Sequence, residues 1–271
     1  RTCTPLGEDL PLEAGAGGVR AAALARDEEG GVWVASGAEN GTVNLFRVAA
    51  TGQWSPACTG AWHKQIVQDL AFSPDARSLA TVGEDGRVAL VELAGGACGE
   101  PRYLEPQAGP VTSVRFAPDG RTLVSASGEG EAQVLARDGS LLARLSGHKA
   151  RILSLDVSPD GRWLLTASRD GTVRLWPRPT QVQTEPLSPW LTLSAGLGGA
   201  SHASFSPDGL SIGVAYRNDA ALIWQLWNEG TAMDPALVLD WGAERARLTL
   251  IQAARRFMDE NLQAVRPVAA P

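Results

Sequence analysis

The chain has 271 residues, 44% hydrophobic and 20% charged, with a mean hydropathy of −0.08, which excludes disordered, collagen-like and disulfide-framework proteins and leaves room for one large core or two small ones. Twenty-four basic residues against 30 acidic ones give a net charge of −6, and no five like charges run together, so nucleic acid is not an expected partner. Uninterrupted apolar stretches such as residues 21–25 are only a handful long, against the roughly 20 residues a helical membrane span needs.

In chain order, the first residue is Arg1 rather than Met and no secretory leader pattern follows, so the sequence reads as part of a longer polypeptide. Residues 9–13 can serve as an outer strand. Glu29-Gly30-Gly31 then turns the chain ahead of the run starting at Val32. Four Pro-Asp turns follow: Ser73-Pro74-Asp75-Ala76, Ala117-Pro118-Asp119-Gly120, Ser158-Pro159-Asp160-Gly161 and Ser206-Pro207-Asp208-Gly209. Proline presets φ at the second turn position and Asp follows it, so each is a tight reversal between strands. A short β-rich run comes next, then a polar turn, then a second run. Residues 162–168 read RWLLTAS, Arg169-Asp170-Gly171 reverses the chain, and residues 172–176 read TVRLW, a hairpin pattern.

Aligning the second turns makes Gly41, Gly86, Gly130, Gly171 and Asp219 equivalent, at intervals of 45, 44, 41 and 48 residues. Five units are legible. Each has room for four strands, as at 111–116, 122–127, 131–136 and 141–145. Near-continuous apolar runs such as 152–157 imply strands covered on both faces. A period of about 40–45 residues with four strands per unit predicts an all-β propeller of six or fewer blades in this chain. Residues 236–241 read as the first strand of a sixth unit. Residues 243–265 lack Gly and Pro and place Leu248, Ile251, Met258, Leu262 and Val265 at helical spacing. The expected division is a propeller over 1–241 and a C-terminal extension over 242–271, either helical or a degenerate last blade.

Gly147-His148, Ser158-Pro159-Asp160-Gly161 and the stretch from Thr166 to Trp176 together resemble a complete repeat of the WD-repeat family. The resemblance covers roughly residues 8–240. It implies a hydrogen-bonded tetrad of His148, Thr166, Asp170 and Trp176, in which carboxylate, imidazole, hydroxyl and indole satisfy one another. The other units match in part. The second has His63, Thr81 and Asp85 but Val91 in place of the Trp. The first has Ser36 and Asn40, the third Ser125 and Glu129, and the fifth Asn218 and Trp224.

Signatures of chemistry are sparse. Lys64 and Lys149, the two lysines, precede Gln65 and Ala150, so neither closes a P-loop. His63 and His148 occupy the structural position of the repeat, and His202 is the irregular third histidine. The Pro-Asp turns lack EF-hand spacing, and Gly196 to Gly199 lies between strands, where no helix N-terminus cradles a phosphate. No catalytic residue, metal or cofactor is expected. Cys3, Cys58 and Cys98 are an odd number without a C-x-x-C pair, which suits a reducing compartment, by default the cytoplasm, better than a secreted disulfide framework.

The family resemblance implies a rigid platform for other proteins, recognised through the face carrying the Gly-His loop and the turn after the second strand. On that face Lys64, Lys149, Arg151, Arg169 and Arg217 are the candidate partner-binding residues, with Glu39, Glu84 and Glu129 from other units. Arginine forks hold carboxylates in two bonds at once, so an acidic segment of a protein partner is the expected ligand. The chain resembles the WD-repeat regions of large bacterial signalling proteins such as STAND-type ATPases, kinases and peptidases, where a propeller regulates an effector. Two alternatives stand beside it: a small structural subunit of a multiprotein assembly, and a propeller enzyme with a site in its central channel. Convergent acids or histidines in the channel would favour the enzyme.

Overall fold

The structure is a computed structural model that describes residues 17–49, 51–94 and 96–226. The expected strand at 9–13, the sixth-unit strand at 236–241 and the C-terminal helix all lie outside the described residues. Five antiparallel sheets follow one another, one per unit. The first comprises β1 (Val19–Arg26), β2 (Val32–Ala38), β3 (Thr42–Val48) and β4 (Trp54–Ala61). The second has β5 (Val67–Phe72), β6 (Ser78–Gly83) and β7 (Val88–Ala94), with the short β8 (Ala97–Cys98) and β9 (Arg102–Tyr103) both pairing with β7. The third is β10 (Val111–Phe116), β11 (Thr122–Ser127), β12 (Ala132–Ala136) and β13 (Leu141–Leu145). The fourth is β14 (Ile152–Val157), β15 (Trp163–Ser168), β16 (Thr172–Pro177) and β17 (Leu191–Ser194). The fifth shows β18 (Ala200–Phe205), β19 (Ser211–Tyr216) and β20 (Ala221–Gln225) among the described residues.

Each sheet packs on the next mainly through its first strand: β1 on β5, β5 on β10, β10 on β14 and β14 on β18. This is propeller packing, with first strands innermost. Burial follows from it. β6 and β11 are buried at every residue because blades cover both their faces. On β1 and β20 only alternate residues are covered, leaving Leu24 70% and Ile223 63% exposed. Among the described residues β1 and β18 do not pack together as the other first strands do.

Four apolar clusters fill the interfaces. Between blades three and four, for example, Val124, Val134, Leu145, Ile152, Leu155, Leu164 and Trp176 pack together. Polar bridges add direction at these interfaces. Asp69 accepts bonds from Ser113 Oγ (2.9 Å), Val114 N (3.1 Å) and Arg115 Nη1 (2.7 Å) of the next blade. Asp156 receives Phe205 N at 2.8 Å in the same way. The Pro-Asp turns are tied to the following blade by Arg137 to Asp75 and Arg178 to Asp119, both 2.9 Å. The long connection after β16 turns back to the third blade, where Gln183 N and Leu187 N donate to Leu142 O and Arg144 O and cover the edge of β13.

The cysteines depart from the reading of their number and spacing, which marks no disulfide framework. Cys58 on β4 and Cys98 on β8 are 40 residues apart, nearly one period, which puts them on the outer strands of successive blades. There they form a disulfide with a Cα–Cα distance of 6.2 Å. A near-period separation brings residues of neighbouring blades together although the sequence between them holds no local pattern to mark the pairing.

Candidate interaction face

One irregularity recurs in every blade. The pairing of first and second strands shifts register between Val19 and Ala21, Val67 and Asp69, Val111 and Ser113, Ile152 and Ser154, and Ala200 and His202. The bypassed residues are Arg20, Gln68, Thr112, Leu153 and Ser201. A bulge leaves its extra residue out of the ladder and re-aims the side chain. Four of these five, Arg20, Gln68, Thr112 and Leu153, line a cavity of about 290 Å³ among the innermost strands. Glu84, Arg169 and Arg217, each immediately before the Asp or Asn of a second turn, complete the wall together with Arg151.

The structure therefore brings Arg151, Arg169 and Arg217 into one cavity. Lys64 and Lys149 are exposed on the neighbouring loops and do not line it; their backbone N–H groups donate to Asp85 Oδ2 and Asp170 Oδ2, both at 2.9 Å. Arg20 escaped the sequence reading, because the bulge that aims it belongs to the pairing of β1 with β2. The available signal was a polar residue near the start of an otherwise apolar first strand, as at Arg20, Gln68 and Thr112. Among the described residues none of the four guanidinium groups has a hydrogen bond or ion pair, whereas Glu84, the one acid of the lining, accepts from Gln68 Nε2 at 2.8 Å.

Below this face lie the polar networks that hold the loops. In the fourth blade His148 Nδ1 bonds to Asp170 Oδ2 (3.0 Å), its Nε2 to Thr166 Oγ1 (2.8 Å), and Trp176 Nε1 donates to the same hydroxyl at 2.9 Å. In the second, His63 bonds to Asp85 Oδ1 (3.0 Å) and Thr81 Oγ1 (2.9 Å). Burial pushes both imidazoles below their ordinary value against the pull of the aspartates, so they are neutral near pH 7. The proton then sits on Nδ1 facing the carboxylate, and Nε2 accepts from the threonine. Burial alone would raise Asp170, but the Thr172 hydroxyl, the N–H groups of Lys149 and Thr172, and His148 overcome it and hold the carboxyl well below the usual range.

The third blade has a substitute that sequence reading passed over. Gln107 Nε2 donates to Ser125 Oγ across 18 residues, the separation of His63 from Thr81 and of His148 from Thr166. Its spacing ahead of Pro118 matches that of His63 ahead of Pro74 and would have revealed it. In the fifth blade Val214 stands where Thr166 stands in the fourth, so among the described residues buried Trp224 Nε1 lacks the threonine acceptor that Trp176 has and lies near the Tyr216 hydroxyl instead. His202 donates or accepts at Ser154 Oγ, 3.1 Å away on the neighbouring blade. Of the tryptophans outside the tetrad positions, Trp62 is buried between the first two blades, Trp54 meets Phe46 edge-on at 5.9 Å and Trp190 packs on Trp163 at 4.9 Å. Trp227 lies outside the described residues.

Repeated four-stranded antiparallel blades, inner strands around a channel and His–Asp–Thr networks beneath one face define a β-propeller of the WD type. The family described as "WD domain, G-beta repeat" matches residues 54–91, 101–134 and 139–177, which supports WD repeats in those segments. The chain is similar to the WD repeat-containing protein SL1-17 of Schistosoma mansoni, 37% identical over 112 residues, which are 41% of this chain and 35% of that protein. The match thus spans about a third of the relative's length.

Proposed function

We propose that this chain is an interaction platform whose channel mouth docks an acidic segment of a protein partner, and that it serves as the regulatory part of a larger signalling protein or complex. WD repeats act generally as protein-binding scaffolds, which supports the platform reading. The observation that carries the acidic ligand is the convergence of Arg20, Arg151, Arg169 and Arg217, unpaired among the described residues, on one cavity of a protein with net charge −6. Converging guanidiniums repel one another until an anion arrives, and they bind carboxylates in two-bond geometry. Among the described residues the cavity is lined by one acid, already engaged by Gln68, and four arginines, which supports docking of an anionic segment. The Cys58–Cys98 bond favours an oxidising compartment over the cytoplasm expected from the cysteine count.

A pull-down with the wild-type chain, repeated with Arg151, Arg169 and Arg217 changed to Glu, tests the docking. A stoichiometric partner lost on charge reversal supports it. Retention of that partner by the reversed chain rejects the channel mouth as its site.

A further inference from the structure

One backbone hydrogen bond recurs in all five described blades. The N–H groups of Glu39, Glu84, Gly128, Arg169 and Arg217 donate to the carbonyl of the residue just ahead of each first strand, at 2.6–3.0 Å. The bond fixes one turn position on every blade, and its charge runs acid, acid, neutral, base, base from the first blade to the fifth. Glu84, Arg169 and Arg217 of this series line the channel-mouth cavity. On the side of the fourth and fifth blades Arg151, Arg169 and Arg217 supply positive charge; on the second blade's side stands Glu84, and the third blade adds only the uncharged Thr112. The first blade's Arg20 and Glu39 carry one charge of each sign. Among the described residues the mouth is therefore electrically two-sided.

Glu84 is held in place but not neutralised. Gln68 Nε2 donates to its Oε1 at 2.8 Å, and among the described residues it makes no ion pair with any of the four arginines, while its Oε2 has no hydrogen bond. A wholly acidic segment is attracted by the arginines and repelled at Glu84, whereas one that also carries a base is attracted at both places. We infer that the docked segment is dipolar: its acidic side chains lie against Arg151, Arg169 and Arg217, and a basic side chain close to them in sequence meets the free oxygen of Glu84. This rests on the docking proposed above and adds the class of segment and its orientation across the mouth. Glu84 is then a specificity-determining residue, and Gln68 orders its carboxylate before the ligand arrives, which lowers the cost of binding.

The test uses capped synthetic peptides as probes: a run of three glutamates, a spacer of one, two or three glycines and a terminal lysine, with a matched set ending in glutamine. The full chain is titrated calorimetrically at low salt as wild type, Glu84→Gln and Arg169→Gln. Glutamine at 84 keeps an oxygen to accept from Gln68 and removes only the charge, so the fold is undisturbed. Wild type is expected to bind a lysine peptide about fivefold more tightly than its glutamine match, although the lysine peptide has the smaller negative charge. That preference should vanish in Glu84→Gln, while Arg169→Gln should weaken both sets roughly tenfold. No lysine preference at any spacer, or one that survives Glu84→Gln, overturns the dipolar segment; the docking stands as long as Arg169→Gln weakens both sets. If wild type binds neither set, or Arg169→Gln leaves binding unchanged, both fall.

Discussion

The first two blades and the fifth are built on one repeat yet held in different ways. The first two are joined covalently by Cys58–Cys98, and Arg47 on β3 ties the opening turn through Asp27 at 2.8 Å. The second also carries the His63–Thr81–Asp85 network. The fifth packs its apolar face on the fourth blade, with Ile212, Val214, Tyr216 and Trp224 buried, but Trp224 Nε1 has only the Tyr216 hydroxyl near it among the described residues, in place of a threonine acceptor in good geometry. Apolar alternation and the Pro-Asp turn are thus enough to make a blade, and the polar and covalent links decide how firmly it is held. Stability should run unevenly from blade to blade, with the fifth blade opening at lower cost than the second.

Removing the staple is the largest way to break this contrast. Cys98→Ser, or reduction, removes the covalent loop that spans a separation of 40 residues in the unfolded chain and should lower unfolding stability by about 4 kcal/mol. Denaturant titration with and without reductant reads this, and the Cys98→Ser chain should no longer respond to reductant. Next comes Asp170→Ala, which strips partners from His148, Thr172 and the Lys149 N–H and should cost about 2–3 kcal/mol by urea unfolding. An unchanged midpoint would show that the network contributes nothing to stability.

The pH dependence separates histidine-bearing blades from the rest. His63 and His148 are held below the ordinary value of 6.5 in the fold, so the unfolded chain binds protons first as pH falls. Their contribution is complete above pH 6.5 and is lost below it, with a slope of up to about 1.4 kcal/mol per pH unit for each imidazole. Asp75, burial notwithstanding, is lowered to about 2 by Ser73, Arg137 and the Arg77 N–H, and Asp85 and Asp170 are lowered too, so a second loss sets in below about pH 4. Thermal melts from pH 8 to pH 3 should show both limbs, and His63→Gln with His148→Gln should flatten the first. The smallest effect sharpens the comparison from the other side: Val214→Thr should give Trp224 Nε1 the acceptor that Thr166 gives Trp176, raising stability by about 0.5–1 kcal/mol in the same melts.

Much of this was legible before any coordinates. The strands at 111–116, 122–127 and 141–145 stand where the turns and alternation put them, because Pro-Asp and Asp-Gly reversals are local signals. Two residues of the candidate site escaped for opposite reasons. Gln107 was readable from its spacing but differs from the histidine being sought. Arg20 had the right charge, but its direction depends on a bulge that exists only when β1 pairs with β2. The disulfide escaped because parity and local spacing say nothing about residues one blade apart.

The sequence by itself determined the period, the turns, the alternation of each strand and the tetrad residues of the fourth unit, since all of these depend on neighbours within some 30 positions. Tertiary structure decided the rest. Which side chain a repeated bulge turns into the channel is set by the pairing of two strands within a blade, whereas which outer cysteines meet and which carboxylate reaches into the next blade are set by blade against blade. In a propeller every such contact joins residues about one repeat apart, where sequence alone carries no distance.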